Sequence, residues 1–428
     1  MKLIDSEYKK TELDNGIRII TERIPYVRSI SIGTWITVGS RDETVSNNGI
    51  SHYIEHMMFK GTETRKAYEI AASLESVGGQ LNAFTSKELT CYYAHILDEH
   101  LPIAVAVIAD ILNNSVFDET EMKKEKQVIL EEINNLEETP EEMIHELFLG
   151  DLFPNHPLGF STIGTRDNVL KFERQTILNY ITENYTTDRT VIAAAGNVNH
   201  SHLVKLVEEN FENLQNSGSR KYLPPSKPFQ GKRIIENGGI QAHVCLGTQS
   251  YSYQNPKKFG LLVLNTLLGS GMSSRLFQNI REKYGLAYSI YSFIDFLQDT
   301  GLFGVYIGTD KDKINESLEL INHELQLLKN KTVSEKELHL TKSQLKGNLM
   351  LGLESTASRM NRLAKMEIYL QKYFTLDDTL NEIENVTSEE IVKIANELFD
   401  QGRIFTTILK PKSQVTIPEG GTHESRST

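Results

Sequence analysis

The chain has almost no cysteine: Cys91 and Cys245 are the only two in 428 residues. Two thiols cannot build a disulfide framework, and so low a count fits a reducing compartment. There is no long hydrophobic run. No stretch approaches 18 consecutive apolar residues, which excludes a membrane-spanning helix and with it a membrane partner of that kind. There is no basic excess either. The 57 Asp and Glu outnumber the 45 Lys and Arg, for a net charge of −12. Phosphate backbones are bound by basic surfaces, so nucleic acid is not an expected partner. The opening MKLIDSEYKKTELDNG lacks the apolar core of a secretory signal. It is not the Arg- and Ser-rich, acid-poor pattern of a transit peptide. A cytoplasmic location is the expectation.

What the chain does have is apolar material for large cores, 39% of residues, against 24% charged. Its length corresponds to two to four domains of about 100–200 residues. Residues 214–232, LQNSGSRKYLPPSKPFQGK, are rich in Ser, Gly, Pro and charge without apolar period, and read as a linker. The polar stretch 411–428 reads as a flexible tail. This divides the chain into residues 1–213, a linker at 214–232, residues 233–410, and the tail. The two halves repeat one order of elements. Each opens with an apolar strand run, SISIGTWITVGS at 29–40 and AHVCLGTQSY at 242–251. Each then has a helical stretch, β-rich sequence (78–97 and 285–309) and a long helix signal (118–138 and 334–353). Aligning Glu119 with Glu335 brings the two long helices into register. Strands followed by runs of helices, without strict βαβ alternation, indicate an α+β fold. The expectation is two homologous domains, each a mostly antiparallel β-sheet packed with helices.

Within GISHYIEHMMFKG (49–61), His52, Glu55 and His56 spell H-x-x-E-H, the inverted zincin signature. With twelve histidines in the chain, chance yields only about 0.03 such matches. Asn47 or Asn48 is placed to cap a helix here. Residues i and i+4 share a helix face, so the two imidazoles can converge on one metal ion. Glu55 projects beside them, where it can hold and deprotonate a water molecule. Zinc suits imidazole and carboxylate ligands, and a catalytic zinc keeps three protein ligands and one open position. A third ligand is therefore required. Glu69, Glu75, Glu131, Glu132, Glu137 and Glu138 all lie on helical sequence, and periodicity does not choose among them.

With these residues in view, the chain resembles the pitrilysin/insulinase family of zinc peptidases, in particular bacterial members similar to the catalytic (beta) subunit of the mitochondrial processing peptidase. The resemblance spans about residues 10–410 and rests on four blocks in order: GISHYIEHMMFKGT, SLESVGGQLNAFTSKELTCYY, QVILEEI and REKYGLAYSI. It implies one Zn2+ per chain held by His52, His56 and Glu132, with Glu55 as general base. Glu125 matches a carboxylate one step further out. Seven residues are about two helical turns, so Glu125 shares a face with Glu132 roughly 10 Å away along the axis, which suits a group supporting a ligand. Asn82, Ala83 and Phe84 match the edge strand on which the family binds extended peptides. Arg281 and Tyr288 match an Arg and a Tyr near the family's active site, where the Tyr would hydrogen-bond a developing oxyanion. Glu142 and Glu146, spaced i, i+4, match acidic positions that processing peptidases use to recognise arginine.

The resemblance thus implies a zinc metalloendopeptidase acting on unfolded peptides or presequence-like segments, working as a homodimer with sites shared between chains. The alternative is a non-catalytic structural or regulatory subunit of a larger assembly, a role in which relatives have lost parts of the motif. Asn348 stands opposite Glu132 in the second half, which has no H-x-x-E-H of its own. Only the first half is expected to hold metal.

Overall fold

The computed structural model describes residues 7–211 and 223–412. The first sheet contains β1 (Glu7–Glu12), β2 (Arg18–Arg23), β3 (Ser29–Ile36), β4 (Gln80–Thr85), β5 (Thr90–Leu97) and β6 (Thr190–Gly196), in the order β1-β2-β6-β3-β5-β4. Around it run α1 (Ile50–Met57), α2 (Ala67–Glu75), α3 (Leu101–Asn114), α4 (Glu119–Glu138), α5 (Pro140–Leu152), α6 (Arg166–Lys171), α7 (Arg174–Asn184) and α8 (His200–Asn210). The second sheet contains β7 (Gly231–Asn237), β8 (Ala242–Ser250), β9 (Ala287–Phe296), β10 (Gly301–Thr309) and β11 (Phe405–Pro411), ordered β7-β11-β8-β10-β9. Its helices are α9 (Lys258–Gly269), α10 (Ile314–Asn330), α11 (Glu335–Gly352), α12 (Thr356–Leu370), α13 (Leu376–Asn385) and α14 (Ser388–Leu398).

The order β2-β6-β3-β5-β4 recurs as β7-β11-β8-β10-β9. In both five-strand runs the first pair, β2–β6 and β7–β11, is parallel and the other pairs are antiparallel. The long helices begin at matching caps. The Asp118 carboxylate accepts from the Thr120 and Glu121 N–H groups, and the Ser334 hydroxyl accepts from Glu337 N–H. Each cap satisfies donors that a helix start leaves without intrahelical partners. The α+β class with two related units is what the sequence pattern indicated. Of the segment expected as a linker, 214–222 lies outside the described residues, 223–230 has no regular structure, and 231–232 already belong to β7. Of the expected tail, Pro411 closes β11 and 413–428 lie outside the described residues. No helix among the described residues is long and apolar enough to cross a membrane.

Both faces of each sheet are covered. In the first half, α1, α3 and α8 close one face of the first sheet over a core that includes Ile19, Ile32, Tyr92 and Ala94. The other face is closed by α12 from the second half, whose Met360, Leu363 and Ala364 pack on Trp35, Cys91, Ala193 and Ala195. Small residues make room for it: a Cβ on Gly33 would stand 3.2 Å from Met360 Sδ. The exchange is mutual. Helix α5 of the first half carries Ile144, Phe148 and Leu152 onto Cys245, Leu302, Tyr306 and Leu409 of the second sheet. Where the β4–β5 and β9–β10 turns meet, buried Arg41 pairs with Glu88 at 2.6 Å and with Asp299 at 2.7 Å. Glu88 also accepts from Tyr369 Oη and the Gln298 N–H.

Phe148 is fully buried in the surface that α5 offers to the other half. Phe148→Ala is expected to lower the free energy of unfolding by about 3–5 kcal/mol, through lost burial plus the cavity left behind. Urea unfolding followed by circular dichroism measures this. An unchanged midpoint would show that α5 is not part of the second core.

Candidate metal centre

Helix α1 starts where only glycine fits. Gly49 has φ +96°, and a Cβ there would stand 2.6 Å from Gly164 Cα. The cap differs from the sequence expectation. Neither Asn47 nor Asn48 caps the helix; the Asn48 side chain instead donates to Glu43 and to the Ser161 carbonyl. The buried Glu43 carboxylate takes the capping role from outside the helix. Its oxygens accept from the Gly49 N–H at 2.7 Å and the Ser51 N–H at 2.9 Å. The positive end of the helix dipole favours a carboxylate at this place, although burial still pushes the Glu43 pKa up.

Ile50, Tyr53, Ile54 and Met57, at i, i+3, i+4 and i+7, turn into the first core. That leaves His52, Glu55 and His56 together on another face of α1. Tyr53 Oη donates to the Met122 carbonyl at 2.8 Å, pinning α1 to α4. On α4, Ile129 and Ile133 are buried and fix which face looks at α1. The packing selects Glu132 from the six carboxylates open on sequence. Glu132 Oε2 lies 3.7 Å from His52 Nε2 and 3.6 Å from His56 Nε2. Other candidates are engaged elsewhere: Glu69 accepts from the Lys66 N–H, Glu131 from Asn134, and Glu137 pairs with Arg166. Among the described residues, His52, His56 and Glu132 form the one group of three or more metal-capable side chains, with ligand atoms within 4.8 Å of one another.

These separations are too long for hydrogen bonds. They match ligands around a tetrahedral divalent ion: bonds of about 2.0–2.2 Å place ligand atoms roughly 3.3–3.6 Å apart. His52 Nδ1 is buried with no hydrogen-bond partner among the described residues. Burial, with His56 adjacent, lowers the His52 pKa to about 3, so its imidazole stays neutral as a ligand must. His56 is held differently. Its Nδ1 lies 2.8 Å from Glu125 Oε1, and Glu125 Oε2 pairs with Lys60 Nζ at 2.7 Å. A carboxylate on Nδ1 fixes the tautomer and leaves Nε2 facing Glu132. Burial lowers the His56 pKa and raises that of Glu125. Burial is the largest single effect on each, but it is outweighed in His56 by the Glu125 bond together with the charges of Glu132, Glu125 and Glu55, and in Glu125 by the bonds and charges of His56 and Lys60 together, so His56 ends raised and Glu125 lowered. Glu55 makes no bond to the histidines. Its Oε2 accepts from Thr85 Oγ1 at 2.6 Å, and burial raises its pKa.

Thr85 is the last residue of β4, the edge of the first sheet, so Asn82, Ala83 and Phe84 lie on a strand with one unpaired side. Arg281 and Tyr288 are together but apart from the histidines. The Arg281 guanidinium sits 5.3 Å from the Tyr288 ring centre, and Tyr288 is 79% exposed on β9, the edge of the second sheet. Read from its strand alone, Tyr288 would be a core residue; the structure places it in solvent. Among the described residues, no hydrogen bond, ion pair or ring contact joins either residue to His52, His56 or Glu132. Glu142 and Glu146 both lie on α5. Glu142 is exposed, while Glu146 is half-buried and 3.8 Å from Lys87 Nζ. Reading the sequence missed Lys60, Thr85 and Glu43 as parts of this site. Lys60 and Thr85 stand inside the quoted motif blocks, but no spacing rule marks them.

Two family profiles match the chain in series: "Insulinase (Peptidase family M16)" over residues 18–166 and "Peptidase M16 inactive domain" over residues 171–345. The first contains every member of the histidine–carboxylate cluster, and the second contains none. Among curated relatives, the "Uncharacterized zinc protease YmxG" of Bacillus subtilis is 44% identical over 92% of this chain and 96% of its own length. An uncharacterized zinc protease of Streptomyces coelicolor is 40% identical over 91% of this chain and 87% of its own length. Among solved structures, a protease from Helicobacter pylori superposes with a TM-score of 0.89 at 25% identity, covering 95% of this chain and 100% of that one. A "peptidase M16 inactive domain" protein from Pseudomonas fluorescens shares the fold with a TM-score of 0.87 at 19% identity, covering 95% of this chain and 98% of that one. Profile matches to both halves, and relatives this similar along nearly the whole length, show that the chain belongs to the insulinase (M16) peptidase family.

Proposed function

We propose that this chain is a zinc-dependent endopeptidase that cleaves unfolded peptides. The observation that carries the reading is the convergence of His52, His56 and Glu132, with Glu132 at tetrahedral ligand spacing from both imidazoles and Glu55 beside them, uncommitted to either imidazole. Two imidazole nitrogens and one carboxylate are a donor set that suits zinc and leaves a position open. One zinc ion per chain follows, since the second half offers no comparable group among the described residues.

When bound, zinc supplies Lewis-acid polarisation of the scissile carbonyl. The chain's own residues do the rest. Glu55, half-buried and with one oxygen held by Thr85, has its other oxygen available to take a proton from the attacking water and return it to the leaving amine. Glu125 and Lys60 hold the His56 ring in place. The open side of β4 pairs with an extended peptide through main-chain hydrogen bonds, which tolerates varied side chains. Glu142 is free to meet a basic residue of the peptide, and Glu146 meets it in exchange for Lys87. Tyr288 and Arg281 act on a neighbouring subunit: Tyr288 is exposed, and neither residue bonds within its own chain to the histidine cluster. The active form is a two-fold homodimer in the cytoplasm, with the metal half of one chain facing Arg281 and Tyr288 of the other. A non-catalytic subunit role has less support, because His52, Glu55, His56 and Glu132 are all in place.

The direct test is digestion of a peptide library by purified protein with and without chelator; no chelator-sensitive cleavage would sink the reading. In the same digest, cuts should be enriched for Arg or Lys shortly upstream, and a flat distribution would remove Glu142 and Glu146 from recognition. Glu55→Gln should retain stoichiometric zinc and lose nearly all turnover, because an amide cannot accept the proton. His52→Ala, His56→Ala and Glu132→Ala should lose the metal. Glu125→Ala should weaken zinc affinity by about 10–100-fold. Equilibrium dialysis followed by elemental analysis separates these cases, and full zinc content in Glu132→Ala would give its role to another group.

Subunit mixing tests the shared site. Glu55→Gln and Arg281→Ala proteins, each nearly inactive alone, are allowed to exchange subunits. Roughly half the dimers are then mixed, and each mixed dimer holds one intact and one doubly damaged site, so about a quarter of all sites recover. Background activity after confirmed exchange would show that each site uses its own chain.

A further inference from the structure

The turn after β4 determines which way its backbone faces. The Ser86 N–H donates to the Leu89 carbonyl at 2.7 Å and closes the β4–β5 hairpin. Thr85 pairs with Thr90, Phe84 with Cys91 and Ala83 with Tyr92. Bonded and unbonded pairs alternate along an antiparallel ladder, so the backbone groups of Thr85 and Ala83 point away from β5 to the open edge. The Ala83 N–H bears this out: it donates to Asn82 Oδ1 at 2.8 Å, so a side-chain carbonyl sits where an incoming strand would offer its own. The period of two also puts the Ala83 and Thr85 side chains on one face. That is the face toward α1, where Ala83 packs on the first core and Thr85 Oγ1 donates to Glu55 Oε2 at 2.6 Å. A single residue at the end of the edge strand therefore directs both its hydroxyl and its N–H at the Glu55 carboxylate.

We propose that Thr85 is a positioning residue that couples the docking of an extended peptide on β4 to the orientation of Glu55. The role rests on the peptidase reading above. An unsupported glutamate loses side-chain freedom to reach one working orientation. The Thr85 hydroxyl fixes one carboxylate oxygen and so fixes the direction of the other. A peptide added along the edge brings new ladder bonds to Ala83, two residues before the Thr85 that holds Glu55. It steadies the strand end from which that hydroxyl reaches, so the base is aligned most firmly when a substrate strand is present.

The test compares Thr85→Val, which keeps the β-branched shape without the hydroxyl, with Thr85→Ser, which keeps the hydroxyl. Thr85→Val should hold wild-type zinc and keep KM within about twofold, while kcat falls on the order of tenfold or more, as for a lost hydrogen bond to a charged group. Thr85→Ser should restore most of that kcat. A readout independent of turnover uses the metal-free protein. Urea unfolding of Thr85→Val, Glu55→Ala and the double variant should be non-additive, with the pair coupled by roughly three- to tenfold in the unfolding constant. A wild-type kcat in Thr85→Val, an equal loss in Thr85→Ser, or additive unfolding overturns the proposal alone. Absence of chelator-sensitive cleavage by the wild-type protein overturns the peptidase reading, and this role with it.

Discussion

Each sheet of this chain is apolar on both faces, but each half supplies its own helices for only one of them. The second face is closed by a helix from the other half: α12 on the first sheet and α5 on the second. The rest of the architecture follows from that constraint. Because α4 runs into α5 with only Thr139 between them, the helix that carries Glu132 is anchored at its far end in the other half's core. Because α12 must approach the first sheet closely, β6 carries Ala193 and Ala195 toward it and β3 carries Gly33. The histidines and Glu132 meet inside the first half, yet their spacing is braced by packing that spans both halves.

The junction also contains charge that would be costly to bury alone. Arg41 and Glu88 are almost fully enclosed, and desolvating such ions is offset only when each is well paired. Arg41 has two carboxylates, and Glu88 has a guanidinium, a tyrosine hydroxyl and a backbone N–H. This network joins the β4–β5 turn to the β9–β10 turn, the same corner of the two related units. The turn that closes β4 is thereby fixed a few residues from Thr85.

At the metal centre the balance of charge is different. Three carboxylates, Glu55, Glu125 and Glu132, surround two imidazoles, and Lys60 is the cation paired directly with one of them. Burial keeps His52 neutral, whereas Glu125 holds His56 by its far nitrogen. The remaining negative charge faces the space between the two Nε2 atoms, which favours a divalent cation there. The second half repeats the strand order and the long helix, but Asn348 stands where Glu132 would be, and no such charge gathers among its described residues.

A good deal of this was legible in the sequence, because it is written in local periods. The spacing of His52 and His56 puts both on one helix face, and the duplication shows in the matching strand runs and in the register of Glu119 with Glu335. The α+β class follows from the same patterns. Other features lie between segments distant in sequence and have no local period. Six glutamates on helical sequence are equivalent by period, and only the family resemblance singled out Glu132; the burial of Ile129 and Ile133 is what turns it toward the histidines. The α1 cap fell to Glu43 rather than to Asn47 or Asn48, since a side chain several residues away reaches the helix start once the loop has folded back. Tyr288 would be a core residue by strand pattern, but it lies at a sheet edge, and only the order of strands shows that. Composition and local spacing determined the elements, their duplication and the pair of imidazoles. The exchange of α5 and α12, the choice of Glu132 and the hydroxyl on Glu55 were decided by tertiary packing, because each depends on which buried faces find each other across the chain.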